Sequence, residues 1–176
     1  TQNEYTLAVT TVGGGSVTKS PEKATYHYGD SVELTANPDA GWSFSGWTGD
    51  LVSEANPATI TIDGNKNVTA TFTRLTYTLT VTTVGSGSVS LDNTGPYHYG
   101  DVVQLTANTA TGWSFSAWSG DLSGSNNPAS ITIDGNKSVT ATFTQNEYSL
   151  TVTKVGNGGV TLDNPGPYHY GDIVQL

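Results

Sequence analysis

A 71-residue internal repeat restricts the fold of this chain more than any other feature of its sequence. Residues 26–30 return as 97–101 and again as 168–172, and each return comes 71 residues later. Aligned without a gap, residues 26–73 and 97–144 are identical at 35 of 48 positions. Repetition at a fixed period of this size is typical of a tandem array of small structural units.

The repeat divides the 176 residues into three parts. We predict a first repeat over residues 1–76, a second over 77–147 and the opening of a third over 148–176. The first five residues of the chain return at 144–148, and Leu176 falls where the earlier copies continue. Neither end resembles a natural terminus, so we expect this chain to be a piece of a longer array.

Apolar residues alternate with polar ones, mostly threonine, along most of each repeat. Threonine is the most abundant residue, with 29 copies. An alternation of period two indicates strands with one buried face, as in antiparallel sheets. Within the first repeat we predict strands over 5–12, 16–19, 25–36 with a break at Gly29 and Asp30, 42–47, 59–62 and 67–73. The predicted fold is all-β, in tandem small antiparallel domains of five or six strands each, sandwich or β-grasp-like without a clear helix.

Glycine marks the predicted turns. The glycine clusters at 13–15 and 85–87 are expected to form hairpin loops. Asp63-Gly64 is expected to form a tight hairpin in which the glycine takes a positive φ, as is its copy at 134–135. Only four residues separate Phe72 from Tyr77, so the linker between repeats is short. The expected arrangement is an extended, semi-rigid string of domains.

Composition excludes several functions. The chain has 15 acidic and 6 basic residues, a net charge of −9, which disfavours nucleic acids and anionic membranes. No apolar run approaches the length of a membrane span, so no membrane insertion is expected. Without cysteine there can be no disulfide or cysteine nucleophile. The three histidines occur one per repeat, which does not suit a metal or catalytic site, and we predict that the chain is not an enzyme.

A tryptophan motif followed by Gly-Asp provides the candidate binding site. Trp42 and Phe44 share one strand face, whereas Trp47 points to the other unless a bulge at 45–46 turns it inward. An exposed Trp47 beside Asp50 would form an aromatic platform on which a sugar ring could stack. Trp118 beside Asp121 repeats this arrangement. The alternative is that both tryptophans anchor the domain core.

Calcium is the only metal that the acidic turns suggest. Asp30, Asp50 and Asp63 each lie in a glycine-containing turn and recur in the second repeat as Asp101, Asp121 and Asp134. Calcium binds six to eight oxygen ligands, which such turns can supply. The sequence has no Asp-x-Asp-x-Asp-Gly spacing, and aspartate beside glycine is ordinary in turns. We therefore predict no cofactor, with calcium as the alternative.

The motifs in their order resemble a known family, the divergent internalin-type B-repeat. They lie at Tyr77 to Val81, Gly85 to Val89, Tyr99 to Asp101, Gly112 to Phe115, Trp118 to Asp121, Asn127 to Pro128, Ile131 to Ile133, and Asn136 to Phe143. The resemblance covers essentially the whole chain. It implies a non-catalytic tandem module of bacterial secreted or cell-surface proteins, used as a stalk, spacer or adhesion module, with no catalytic residue to carry over.

Three functions follow as hypotheses. The first is a structural stalk, spacer or fibre-forming repeat outside the bacterial cell or on its surface. The second is a self-assembling extracellular filament in which strands exchange between repeats or identical chains, since sheet edges readily pair. The third is an adhesin module that binds a surface glycan or a protein receptor through Trp47 and Trp118. The expected partners are therefore neighbouring repeats, identical chains, or such a receptor.

Overall fold

The fold is seen in a computed structural model, which describes residues 2–176. Thr1, with which the predicted first repeat begins, lies outside the described residues. The chain divides into two compact units, of which the first ends at Tyr77 and the second begins at Thr78. Residues 2–176 contain no helix, which confirms the all-β prediction. Accordingly, that part of the chain has no helix long and apolar enough to cross a membrane.

The first unit contains eight strands, two of which are only two residues long. They are β1 (Glu4–Tyr5), β2 (Leu7–Val12), β3 (Gly15–Ser20), β4 (Tyr26–His27), β5 (Ser31–Pro38), β6 (Trp42–Gly49), β7 (Ala58–Thr61) and β8 (Lys66–Arg74). Every predicted strand of this repeat is confirmed, with ends that differ by at most two residues. The segment predicted as 5–12 is interrupted at Thr6, and β1 pairs separately with β4.

The six longer strands form two sheets of three strands each. The antiparallel sheet has the order β3-β5-β7. The mixed sheet has the order β2-β8-β6, in which β8 is antiparallel to β6 but parallel to β2. The prediction of purely antiparallel domains was wrong for this sheet. Side chains alternate with period two in both kinds of strand, so the alternation does not specify direction.

None of the glycine-rich turns of the first unit closes a hairpin. The turn at 13–14 joins β2 to β3, and the turn at 62–65 joins β7 to β8, but both turns carry the chain from one sheet to the other. Gly13 has a φ of 89°, whereas Gly64 is not among the residues with positive φ. The hairpin predictions were wrong because a turn residue reverses the chain without determining which strands then pair.

A single core lies between the two sheets of the first unit, which therefore form a two-layer sandwich. Its buried residues are all at most 8% exposed. They are Leu7, Tyr26, Val32, Leu34, Ala36, Trp47, Ala58, Ile60, Ile62, Val68, Ala70 and Phe72. In β8 every second side chain points into the core. The threonines between them therefore occupy the outward positions of this strand.

The second unit repeats this plan with β9 (Leu79–Val84), β10 (Gly87–Leu91), β11 (Val102–Thr109), β12 (Trp113–Gly120), β13 (Ala129–Thr132) and β14 (Lys137–Gln145). Its sheets have the orders β9-β14-β12 and β10-β11-β13, and β9 is again parallel to β14. Residues 148–176, all of which the structure describes, form no strand beyond one isolated bridge between Tyr148 and Tyr168.

Candidate functional site

A β-bulge decides where the second tryptophan of each motif points. The pairing of β6 with β8 shifts register between Phe44 and Gly46, and the pairing of β12 with β14 shifts between Phe115 and Ala117. The extra residue turns the following tryptophan toward the core. Trp47 is 1% exposed and Trp118 is 2% exposed.

Both buried indoles are fully engaged inside their units. The Trp47 Nε1–H donates to the Ala55 carbonyl at 2.9 Å, and the ring centroid of Trp47 lies 5.0 Å from that of Phe44. The Trp118 Nε1–H donates to the Asn126 carbonyl at 2.8 Å. These contacts contradict the interpretation of Trp47 and Trp118 as an exposed sugar platform. Their role is to anchor the core and to hold the loop that follows the strand.

Asp50 and Asp121 hold the ends of strands together. The Asp50 carboxylate accepts a hydrogen bond from the Asn67 backbone N–H at 2.6 Å, and the Asp50 N–H donates to the Asn67 carbonyl at 2.9 Å. Asp121 makes the same two bonds with Ser138, at 2.7 and 2.9 Å. Each carboxylate therefore ties the end of one strand to the start of the last strand, a structural use of the aspartate predicted beside the platform.

The other acidic turns do not converge on a common point. Asp30 accepts a hydrogen bond from the His27 backbone N–H at 3.1 Å. Asp63 forms an ion pair with Lys66 at 2.6 Å. Residues 2–176 contain no group of three or more metal-ligating side chains, so the calcium interpretation receives no support from the geometry. The carboxylates act singly, each in its own turn.

The lysine of each Asp-Gly-Asn-Lys turn tunes the adjacent carboxylate. The hydrogen bond and the positive charge of Lys66 lower the pKa of Asp63, and Lys137 lowers the pKa of Asp134 in the same way. Reciprocally, the aspartate raises the pKa of each lysine. The two pairs are the same contact repeated, at 2.6 and 2.5 Å.

The lowered pKa values of Asp63 and Asp134 make the stability of the fold sensitive to acid. A carboxylate whose pKa is lowered in the folded state stabilises folding above its ordinary pKa, near 3.8, and loses this contribution as pH falls through the folded value. The double variant Asp63→Asn, Asp134→Asn is therefore expected to lose less stability than the parent chain between pH 5 and about pH 2. Urea unfolding of both chains at several pH values measures this loss of stability.

The matched control for the acid prediction is Glu54→Gln, which removes an exposed carboxylate that makes no ion pair among the described residues. This variant should lose as much stability between pH 5 and about pH 2 as the parent chain does. If the double variant and the parent chain lose the same stability over this pH range, the assignment of acid sensitivity to these two pairs is refuted.

The more exposed tryptophan of each motif is the first one, whereas the second was proposed from the sequence as the exposed binding residue. Trp42 and Trp113 are the half-buried ones, and each lies over the glycine turn of its own unit. A Cβ on Gly14 would lie 2.5 Å from the Trp42 Nε1 atom, and a Cβ on Gly85 would lie 2.8 Å from Trp113 Cζ3. The signal for this contact was the recurrence of a glycine turn ahead of a tryptophan motif in each copy.

The Tyr-His-Tyr-Gly-Asp motif places its two tyrosines in different surroundings. A strand that continued through residue 28 would place Tyr26 and Tyr28 on one face, but Tyr26 is fully buried whereas Tyr28 is 69% exposed. The strand β4 ends at His27, and a turn closed by the Asp30 N–H and the His27 carbonyl follows it. The alternation therefore ends one residue before Tyr28.

The last strand of the second unit leads into a segment that is bonded on both sides. The Asn146 N–H donates to the Gly112 carbonyl at 2.8 Å, and two residues later the Tyr148 N–H donates to the Tyr168 carbonyl at 2.7 Å. Gly112 also contacts Tyr170 so closely that a Cβ at position 112 would overlap the Tyr170 side chain. The linker that enters residues 148–176 is therefore held to the preceding repeat.

Comparison with known protein families finds two matches along the chain. The family model described as the divergent InlB B-repeat domain matches residues 5–76 and again residues 77–147. Comparison with curated proteins and with solved structures found no match. The two matched segments together span most of the chain and account for both complete repeats.

Proposed function

Because this chain belongs to the divergent InlB B-repeat domain family, we propose that it serves as a structural spacer or stalk in an extracellular or cell-surface protein. Repeats of this family are associated with bacterial surface and extracellular proteins and are typically non-catalytic. Within that setting the repeats set the distance between whatever the array carries and the surface to which it is attached.

One observation carries the spacer proposal. Each complete repeat buries its own core, and the connection out of β14 is bonded to the preceding repeat at Asn146 and to the following segment at Tyr148. With one residue between the two anchor points, the linker has few free dihedral angles. Linkers of this kind favour a defined step per repeat over a freely jointed chain.

Small-angle scattering on arrays of increasing length tests the spacer proposal. Arrays of two, four and six complete copies of residues 77–147 are expected to show a maximum dimension that grows in proportion to the number of repeats. A flexible chain of beads would grow roughly as the square root of that number. Square-root growth would overturn the spacer function while leaving the fold of each repeat intact.

A second candidate function is assembly by strand exchange, for which residues 148–176 supply a specific observation. Leu150 corresponds to Leu7 of β2, yet Leu150 is 43% exposed whereas Leu7, beside β8, is 6% exposed. An identical chain could supply a last strand to this segment by pairing along its edge. Analytical ultracentrifugation between micromolar and millimolar protein tests this function, and a monomer throughout that range would exclude it.

A further inference from the structure

The first and last long strands of each complete repeat lie side by side and run in the same direction. In the first repeat β2 pairs in parallel with β8 over six residue pairs, from Leu7 opposite Lys66 to Val12 opposite Thr71. In the second repeat β9 pairs in parallel with β14 from Leu79 opposite Lys137 to Val84 opposite Thr142. The chain enters each repeat at the start of one member of this pair and leaves from the end of the other.

Additional bonds reinforce the parallel pair at its entry end and at its middle. The Thr6 N–H donates to Asn65 Oδ1 at 3.0 Å, and the Lys66 N–H donates to the Thr6 carbonyl at 2.9 Å. Midway along the pair, the hydroxyls of Thr10 and Thr69 lie 2.9 Å apart.

The second repeat makes the same bonds. The Thr78 N–H donates to Asn136 Oδ1 at 3.0 Å, and the Lys137 N–H donates to the Thr78 carbonyl at 2.8 Å. The hydroxyls of Thr82 and Thr140 lie 2.8 Å apart. The parallel pair with its flanking bonds is therefore a property of the repeat.

This topology determines how tension acts on a repeat. Tension along the chain pulls the start of β2 in one direction and the end of β8 in the other, and both forces lie along the strand axes. The hydrogen bonds between the strands lie across that direction, so they bear the force together and must break together. A pair of strands pulled apart from one end would instead lose its bonds one after another.

We infer that the β2–β8 pair, and its copy β9–β14, is a mechanical clamp that resists tension applied through the ends of each repeat. The clamp also protects the core, because sliding β2 past β8 would withdraw Leu7 from the buried cluster to which Val68 and Phe72 of β8 also belong. The inference deepens the proposed spacer role and rests on it for the direction of the force.

Single-molecule force measurement on the full chain tests the clamp by changing only the points of attachment. The chain has no cysteine, so two introduced cysteines define the handles. The variant Glu4→Cys, Thr76→Cys pulls the two strands along their axes. The variant Glu4→Cys, Gly64→Cys places both handles at the same end of the parallel pair and peels it open. Position 64 is suitable because a Cβ there meets no atom within 4 Å.

The expected result is an unfolding force several-fold higher for the 4/76 handles than for the 4/64 handles at the same pulling speed. Both variants should show the same unfolding midpoint in urea before handles are attached, since neither substitution lies in the core. Equal forces in the two geometries would overturn the clamp. That result would leave the spacer proposal standing, whereas square-root growth of the arrays would remove the spacer without affecting the force ratio.

Discussion

Replacing Trp47 with alanine is expected to unfold the first unit or leave it close to unfolding at 25 °C. Truncation of a buried aromatic residue to alanine costs about 3–5 kcal/mol, and Trp47 is 1% exposed and packs against Phe44. The substitution also removes the donor to the Ala55 carbonyl. A unit of this size has a free energy of unfolding of roughly 4–11 kcal/mol, so the loss takes a large share of it.

Peptide-resolved hydrogen exchange measures the effect of Trp47→Ala, because it reports each unit separately. Peptides from β6 and β8 should lose protection, while peptides from β12 and β14 should keep theirs. Tyr28→Ala is the matched control, since it truncates an aromatic residue that is 69% exposed, and it should change stability by less than about 0.5 kcal/mol. A loss below about 1 kcal/mol for Trp47→Ala would show that this residue is not a core anchor.

Replacing Gly85 with alanine is expected to destabilise the second unit by about 3 kcal/mol or more. Gly85 has a φ of 84°, a left-handed conformation that costs other L residues about 1–2 kcal/mol. A Cβ there would also overlap the Phe143 backbone carbonyl and lie 2.8 Å from Trp113 Cζ3. Overpacking of this kind adds about 1–3 kcal/mol, because the carbonyl belongs to β14 and cannot move aside without breaking the sheet.

Thermal unfolding of the second unit is the measurement for Gly85→Ala, with an expected fall in its midpoint of about 10–20 °C. Gly135→Ala is the control in the same unit. Gly135 has no positive φ, and a Cβ there would meet no atom within 4 Å. Alanine at 135 should therefore leave the midpoint unchanged or raise it slightly, since it restricts the unfolded chain. Equal midpoints for the two variants would contradict the close approach at Gly85.

The sequence predicted the local structure of this chain well because that structure repeats with period two. Strand positions such as 42–47 and 67–73 were confirmed because alternating apolar residues report which face is buried. Which strands pair with each other was harder to predict from the sequence. Residues 66 and 7, which lie opposite each other in the mixed sheet, are distant in sequence, and nothing in the local pattern of either strand names its partner.

The candidate site was harder to predict than the strands. The position of Trp47 depends on one extra residue between Phe44 and Gly46, and a simple alternation places this tryptophan on the wrong face. The aspartates were assigned correctly to turns, but their roles depend on backbone groups such as the Asn67 N–H, which the side-chain sequence does not display. The Asp63-Gly64 dipeptide is a second example, because it is typical of a hairpin turn but here connects strands of two different sheets.

The middle place of β8 in its sheet also determines when a repeat can fold. Because the last strand separates β2 from β6, neither outer strand has a partner until residues 66–74 have been synthesised. Contacts such as that between Thr10 and Thr69 span 59 residues, and contacts so distant in sequence form slowly. Residues 66–73 and 137–144 differ only at Asn67 and Ser138. A growing array must therefore complete each repeat before the next copy of the same strand emerges and competes for its place.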